Sequence, residues 1–416
     1  MSRFDRREFL KLLSAGAAAG VVPWLSACSK EAAAGILPKD FYKIPKRGNA
    51  RILHCTDFHG QLNPVFFREP NVNLGMGDAF GRPPHMVGKQ LLKHMGLKEN
   101  TPEAHAYTYL NFNKAAKQFG RMGGMANMKT LADRLREQMG GRENTLMLDG
   151  GDLWQGSGTS LWTRGVDMVE ASNILGIDVM VGHWEFTYKE DEVLSNVALF
   201  KGDFIGQNVR VKEDSLMDDG YAKLVETYDG RGLYDEDTGH AFQPYVIREV
   251  GGARICVVGQ AFPRTANANP QEFFPDWSFG LREDDMIELV EGIREDEKPD
   301  AIVLLSHNGM DVDVKMAERV PGLNAVFGGH THDGVPRPLK VKNVEGNECL
   351  VTNAGSNGKF LGVMDFDIQD GKIKSMNYEM LPIFSLSLIH ISEPTRPRLV
   401  SRMPSSACNW GGGGGG

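Results

Sequence analysis

Arg51-Ile-Leu-His-Cys-Thr-Asp-Phe-His59 is a short apolar run that stops on an aspartate and, two residues on, a histidine. The same design returns along the chain. Thr145-Leu-Met-Leu148 runs into Asp149-Gly-Gly-Asp152, Asp178-Val-Met-Val181 into Gly182-His-Trp-Glu185, Ala301-Ile-Val-Leu-Leu305 into Ser306-His-Asn-Gly309, and Asn324-Ala-Val-Phe327 into Gly328-Gly-His-Thr-His332. Ala253-Arg-Ile-Cys-Val-Val258 is a further run of the same kind. Short apolar runs closed by Gly, Asp, Asn or Ser are the pattern of strands buried in a sheet. Carboxylates and imidazoles delivered to the ends of successive strands can converge on one point, and such mixed oxygen and nitrogen sets suit hard or borderline divalent cations.

Between the runs, 113–139, 165–175, 283–297 and 312–320 carry apolar residues at mixed three and four spacing, with charges between them. These are expected helices, the first interrupted at Gly120, Gly123 and Gly124. Alternating strand and helix implies an α/β domain, and in such sheets sites form beyond the strand ends. The segment 213–239, rich in Asp and Gly, reads as a surface insertion.

With 416 residues, 41% hydrophobic and 24% charged, the chain can bury a large core, and its net charge of -8 argues against a nucleic-acid partner. No apolar run beyond the N-terminus is long enough to span a bilayer, so no transmembrane segment is expected. Asp5-Arg-Arg-Glu-Phe-Leu-Lys11 followed by apolar 12–24 reads as a twin-arginine export signal, which sets 1–34 apart and implies a periplasmic location. Leu25-Ser-Ala-Cys28 fits a lipobox in which Cys28 would carry a lipid tether; an ordinary cleavage site with an incidental cysteine is the alternative. Cys55, Cys256, Cys349 and Cys408 show no metal-type pair spacing and imply no disulfide framework. The catalytic domain is placed at 48–383. The remainder, 385–416, including His390, Cys408 and the terminal glycines, has no periodicity and reads as translated adapter sequence rather than native chain.

The motif series resembles the calcineurin-like metallophosphoesterases, in particular their 5′-nucleotidase branch and, within it, the SoxB thiosulfohydrolases of bacterial sulfur oxidation. The strings that carry the likeness are Phe67-Arg-Glu-Pro-Asn-Val-Asn-Leu-Gly75, Asp149-Gly-Gly-Asp-Leu-Trp-Gln-Gly-Ser157, Gly182-His-Trp-Glu-Phe-Thr187, Gly259-Gln-Ala-Phe-Pro263, Leu305-Ser-His-Asn-Gly-Met-Asp-Val-Asp313 and Asn353-Ala-Gly-Ser-Asn-Gly-Lys-Phe-Leu361, spread over roughly residues 50 to 380. The resemblance implies a four-layer αββα sandwich, followed in full-length relatives by a smaller C-terminal substrate domain that is expected to be missing here. It implies two divalent metal ions, with manganese expected: one held by Asp57, His59 and His332, the other by His183, His307 and His330, with Asp152 bridging. His54, His85, His94, His105 and His240 read as ordinary hydrogen-bonded residues. By alternation His54 should face away from Cys55.

One departure separates the chain from the nucleotidases. Where that branch reads Gly-Asn-His-Glu-Phe-Asp, this chain reads Gly182-His183-Trp184-Glu185-Phe186-Thr187, so the ligand is His183, the catalytic histidine has become Trp184 and its aspartate partner Thr187. An alkoxide leaving a phosphate ester gains from proton donation, whereas a sulfur leaving group with a thiol-like pKa near ~8.5 departs as the anion. The implied substrate is a cysteine S-thiosulfonate on a SoxYZ-type carrier protein, hydrolysed to sulfate and a cysteine persulfide. Asn208 is a candidate for orienting substrate or the metal ligands, with backbone capping as the alternative, and Trp184 for an aromatic wall, with core packing as the alternative. Arg68 and Glu69, with Asn353 and Asn357 in a Gly-rich turn, are candidates for contacting substrate or carrier. A periplasmic 5′-nucleotidase or cyclic phosphodiesterase, and a metal-binding module without turnover, are the rival readings.

Overall fold

The computed structural model describes residues 40–66, 77–108, 110–217 and 237–385, together with Leu37, Gly75, Tyr221, Lys223, Glu226 and Asp235. The export signal with Cys28, the pair Arg68 and Glu69, most of the 213–239 insertion and the 386–416 tail lie outside the described residues.

Strands of continuous apolar sequence need both faces covered. In β1 (Ala50–Cys55), Ile52 points into one core and Leu53 and Cys55 into another. The same split recurs in β7 (Ala253–Gln260), where Ile255 and Val257 face inward and Cys256 and Val258 outward, and in β9 (Ala301–Ser306), where Val303 and Leu305 oppose Ile302 and Leu304. The inward sets of two sheets meet in a central core with Leu146, Leu148, Phe327 and Phe366. Helices Met125–Met139, Val166–Leu175 and Glu190–Leu199 supply Met128, Leu131, Leu135, Val169 and Val193 to one outer core. Helices Glu283–Gly292 and Met310–Arg319 supply Met286, Val290 and Met316 to the other. The result is the expected αββα sandwich.

Among the described residues, each of the two packed sheets has six strands. In the first, β1 is flanked by β2 (Thr145–Asp149), then β3 (Val179–Met180) and β4 (Asp203–Phe204), all parallel, and on its other side by β13 (Phe360–Gln369), antiparallel to it, and then β14 (Lys372–Pro382), antiparallel to β13. In the second, β7, β9, β10 (Ala325–Gly328) and β12 (Glu348–Asn353) run parallel, edged by antiparallel β6 (Tyr245–Val250) and β11 (Leu339–Lys342). A short antiparallel pair, β5 (Val209–Val211) with β8 (Trp277–Phe279), stands apart. The parallel strands aim their carboxyl ends at a common edge, which is where ligand sites form in such sheets.

The first expected helix is broken as the glycines foretell, into Phe112–Phe119 and Met125–Met139, with Gly123 and Gly124 at φ 81° and 90°. Gly123 has no room for a side chain, because a Cβ there would sit 2.8 Å from the Asn357 carbonyl oxygen. Helix 283–297 is α-helical to Gly292 and ends in a π-helical turn, Ile293–Glu297. His54 lies in the inter-sheet layer against Phe327, on the side of β1 away from Cys55. Cys55, Cys256 and Cys349 are buried free thiols. Ser385, where the expected tail begins, is still packed on the domain, its hydroxyl donating to the Arg121 carbonyl at 2.9 Å. Among the described residues no helix is long and apolar enough to cross a membrane.

Candidate metal centre

The loops that leave β1, β2, β3, β9 and β10 bring seven side chains into two groups, Asp57, His59 and His332 in one and Asp152, His183, His307 and His330 in the other. Within each group the donor atoms lie within 4.8 Å of one another. The spacing is close: His59 Nε2 and His332 Nε2 are 2.8 Å apart, and Asp57 Oδ1 is 3.4 Å from His332 Nε2. Asp152 Oδ2 is 3.0 Å from His183 Nδ1 and 3.1 Å from His307 Nε2. His307 Nε2 is also 3.7 Å from Asp57 Oδ1, so this ring stands between the two groups.

Backbone conformation makes this convergence possible. Asp57, His59, Asp152, His330 and His332 all have φ between 52° and 72°, a region that non-glycine residues enter seldom and that Asp, Asn and His enter most readily. Hydrogen bonds hold these turns: the Asp57 amide donates to the Gly151 carbonyl at 2.9 Å, the His59 amide to the Asp152 carbonyl at 2.7 Å, and the His330 amide to the Asp57 carboxylate at 3.0 Å. Gly329 must lack a side chain, since a Cβ would lie 2.5 Å from Thr56 Oγ1 and 2.9 Å from His307 Nδ1.

The electrostatics favour a cationic guest. Two buried carboxylates, Asp57 and Asp152, face one another's histidines. Burial works against their ionisation, yet the His307 charge, aided by His332 at Asp57 and by His183 at Asp152, holds both below the usual carboxylate range. His307 is driven the other way, up to about 10, because Asp152 and Asp57 outweigh its burial. Burial first, then neighbouring imidazoles, lowers His330 to about 4; burial is also the main cause of the lowered values of His59 and His183. The neutral imidazoles of His59, His183 and His330, the carboxylates of Asp57 and Asp152 and a buried His183 Nε2 without a hydrogen-bond partner form a donor set that fits a dinuclear metal site.

Other expected residues fall into two kinds. Trp184 leans its half-buried ring on His183, centroids 4.7 Å apart, and its amide donates to Asp152 Oδ1 at 2.8 Å. Asn357 sits at the edge of the first group, its amide donating to the Asp57 carbonyl at 2.7 Å. Asn208 bonds backbone: its Nδ2 donates to the carbonyls of Ala261 and Gly280 and its Oδ1 accepts from the Ala261 amide, so the buried side chain ties its loop to the one that carries Phe262. Asn353 is likewise engaged, donating to the Gly329 carbonyl at 3.2 Å and accepting from the Gly355 amide at 3.0 Å.

Two residues were not foreseen. Phe262, in the loop after β7, packs 4.2 Å from the rings of both His183 and His330. Glu185, fully buried, accepts backbone amides from the loops that carry Asp152 and His183. Burial and the Asp152 charge raise its pKa, and the amides of His183 and Trp154 pull against them. Beside His332 opens a cavity of 310 Å³, walled by Met86, Leu91, Phe112 and Phe360, with Lys359 and Arg337 among its polar groups.

Fold and donor set together define a metallophosphoesterase domain of the calcineurin-like class. The sulfate thiohydrolase SoxB of Thermus thermophilus, solved with glycerol, superposes with a TM-score of 0.72 at 33% identity, over 82% of this chain and 58% of that one. UshA of Yersinia enterocolitica is 26% identical over 303 residues, 66% of this chain and 51% of its own length. A 5′-nucleotidase of Vibrio vulnificus is 25% identical over 289 residues, 62% of this chain and 48% of its own. These similarities place the chain in the 5′-nucleotidase branch of the calcineurin-like phosphoesterases. No family model matches it. The chain spans about half the length of the curated relatives it matches.

Proposed function

We propose that the protein is a dinuclear-metal hydrolase that releases sulfate from a cysteine S-thiosulfonate on a SoxYZ-type carrier protein. The observation that carries this reading is the pair Trp184 and Thr187, standing where a nucleotidase has its histidine and aspartate. With neither side chain able to hand a proton to a departing alkoxide, the site suits a leaving group that departs as an anion, and a persulfide does so. The net step consumes one water, breaks the bond between the sulfonate sulfur and the carrier's outer sulfur, and leaves sulfate and a cysteine persulfide.

Asp57, His59 and His332 would hold one ion and His183, His307 and His330 the other, with Asp152 between them. Such ions, when bound, lower the pKa of water and polarise the group under attack. Manganese is the metal proposed. The chain's own residues do the rest. Trp184 and Phe262 wall the second group and shed water from it, while the cavity beside His332 offers a carrier arm an apolar approach. We further propose export by the twin-arginine segment to the periplasm, with Cys28 as the lipid attachment point.

The 5′-nucleotidase reading is favoured by the curated relatives of that name. The two are separated by measuring sulfate release from a thiosulfonate-loaded carrier peptide beside phosphate release from AMP, with the manganese-loaded protein. Sulfate release alone supports the proposal. Phosphate release alone replaces it with the nucleotidase, and neither, with metal retained, leaves a metal-binding module.

A further inference from the structure

Glu185 is buried to 0% exposure and lies outside both groups of candidate ligands, yet its carboxylate gathers four main-chain amides. Oε1 accepts from Leu153 at 2.7 Å and Trp154 at 3.0 Å; Oε2 accepts from His183 at 2.8 Å and Asp152 at 3.3 Å. All four donors belong to the turns that present Asp152 and His183. Both of those residues sit in the same group, with His307 and His330.

The other group is held by different means. The Asp57 amide rests on the Gly151 carbonyl, the His330 amide on the Asp57 carboxylate, and the Asn357 amide on the Asp57 carbonyl. Its ties to the turn held by Glu185 run through main-chain carbonyls, from the Asp57 amide to Gly151, the His59 amide to Asp152 at 2.7 Å and the Gly60 amide to Leu153 at 3.1 Å. The amides that Glu185 itself accepts include those of Asp152 and His183 and none from Asp57, His59 or His332. The support of the two groups is therefore unequal.

We propose that Glu185 is a positioning residue that acts chiefly on one ion of the pair: it fixes the Asp152 and His183 turns before metal arrives and so sets the affinity of the His183, His307 and His330 position more strongly than that of the other, which shares only Asp152 with it. This rests on reading the two groups as a dinuclear metal centre. The physical basis is acceptor capacity. A carboxylate offers two oxygens with two lone-pair sites each, and here both are filled by converging donors. With Glu185 removed, Asp152, at φ 56°, loses part of the network that keeps it in a left-handed turn. Groups that orient ligands in this way typically change metal affinity by about 10 to 100-fold when altered.

The test is Glu185→Gln, which keeps the shape but points an NH2 group at one pair of amides, so only one oxygen can still accept. Metal-depleted full-length protein is titrated with manganese alone, counting ions per chain and following the electron paramagnetic resonance spectrum, in which a spin-coupled pair differs from an isolated ion. Wild type is expected to bind two ions. The variant is expected to bind one with near wild-type affinity, within about threefold, and the second about 10 to 100-fold more weakly, so an isolated-ion spectrum appears at concentrations that pair the wild type. Equal weakening of both positions, or of neither, overturns the proposal. Should the variant not fold, hydrogen exchange on metal-depleted wild type decides: the amides of Leu153, Trp154 and His183 are expected to be protected before manganese is added, and rapid exchange there overturns it. A wild type that binds a single ion or none removes the dinuclear centre itself, and this role with it. A wild type that binds two ions but releases no sulfate removes the thiosulfonate reading and leaves the positioning role standing.

Discussion

The Thr187 hydroxyl donates to the Trp184 carbonyl at 2.6 Å, so the two residues are linked through a main-chain acceptor and not through a pair of functional side chains. The Trp184 amide meanwhile donates to Asp152, a contact that any residue at 184 other than proline can make. Exchanging the side chains should therefore leave the carboxylate in place. The double variant Trp184→His, Thr187→Asp is expected to raise phosphate release from AMP by at least about tenfold, a modest share of the ~10²–10⁴ that a positioned acid or base supplies. Manganese content should be unchanged. No gain in phosphatase turnover with metal still bound would count against the leaving-group account of this site.

Metal removal should destabilise the fold as well as silence it. Asp57 and Asp152 are buried carboxylates, and they drive the neighbouring His307 toward its charged form. A cation that binds only the folded chain stabilises it by mass action, about 2.7 kcal/mol at a hundred times its dissociation constant. Calorimetry after chelation should show a lower melting temperature that climbs with added manganese. In Asp152→Ala the climb should be much smaller; an identical response in variant and wild type would place the ions elsewhere.

The sequence displays the ligands more plainly than what holds them. Asp57, His59, Asp152, His183, His307, His330 and His332 are legible because each closes an apolar run, and the run alone shows that it ends at a sheet edge. The alternation within each run is invisible as polarity, since both faces are buried, and is recovered only from the separate cores that Ile52 and Leu53 enter. β14 was missed for the opposite reason. It is an edge strand in which Met376, Tyr378 and Met380 alternate with Ser375, Asn377 and Glu379, a period-two pattern without an apolar run. Glu185 and Phe262 could not be singled out from spacing, because their roles depend on reach between loops that are distant in sequence. For Asn208 the sequence leaves backbone capping and substrate orientation open, because only the fold shows that its side chain reaches the carbonyls of Ala261 and Gly280.

At the far end of β1, Arg51 and Asp365 face each other across the β1–β13 register and pair through two bonds of 2.6 and 2.8 Å, both side chains almost fully enclosed. Removing one partner of such a pair leaves an uncompensated buried charge. Asp365→Ala should cost about 3–5 kcal/mol in urea unfolding, whereas Arg51→Met combined with Asp365→Leu should cost far less, because it removes both charges at once. Equal losses in the two proteins would mean that packing, not charge, is what the pair contributes.

Glu190 gives the fold a dependence on pH that is separate from the metal centre. Its Oε1 accepts the amides of Asp276 and Trp277 at 2.9 and 3.1 Å, pinning the loop before β8 to the start of helix Glu190–Leu199. Burial raises its pKa from 4.5 to about 8; the Asp276 charge adds to the rise and the amide bonds oppose it. In the unfolded chain the carboxyl loses its proton near 4.5, while in the folded chain it keeps it to about 8, so between those values the unfolded state binds fewer protons and stability falls as pH rises. Below that window the group contributes no slope, and above it the loss is complete. Glu190→Gln retains an oxygen for both amides and cannot ionise. Its stability relative to wild type should therefore grow by about 1.4 kcal/mol per pH unit as the pH of urea melts is raised through that window, and then level off. A constant difference between the two proteins across the window would show that the Glu190 carboxyl ionises alike in the folded and unfolded chain.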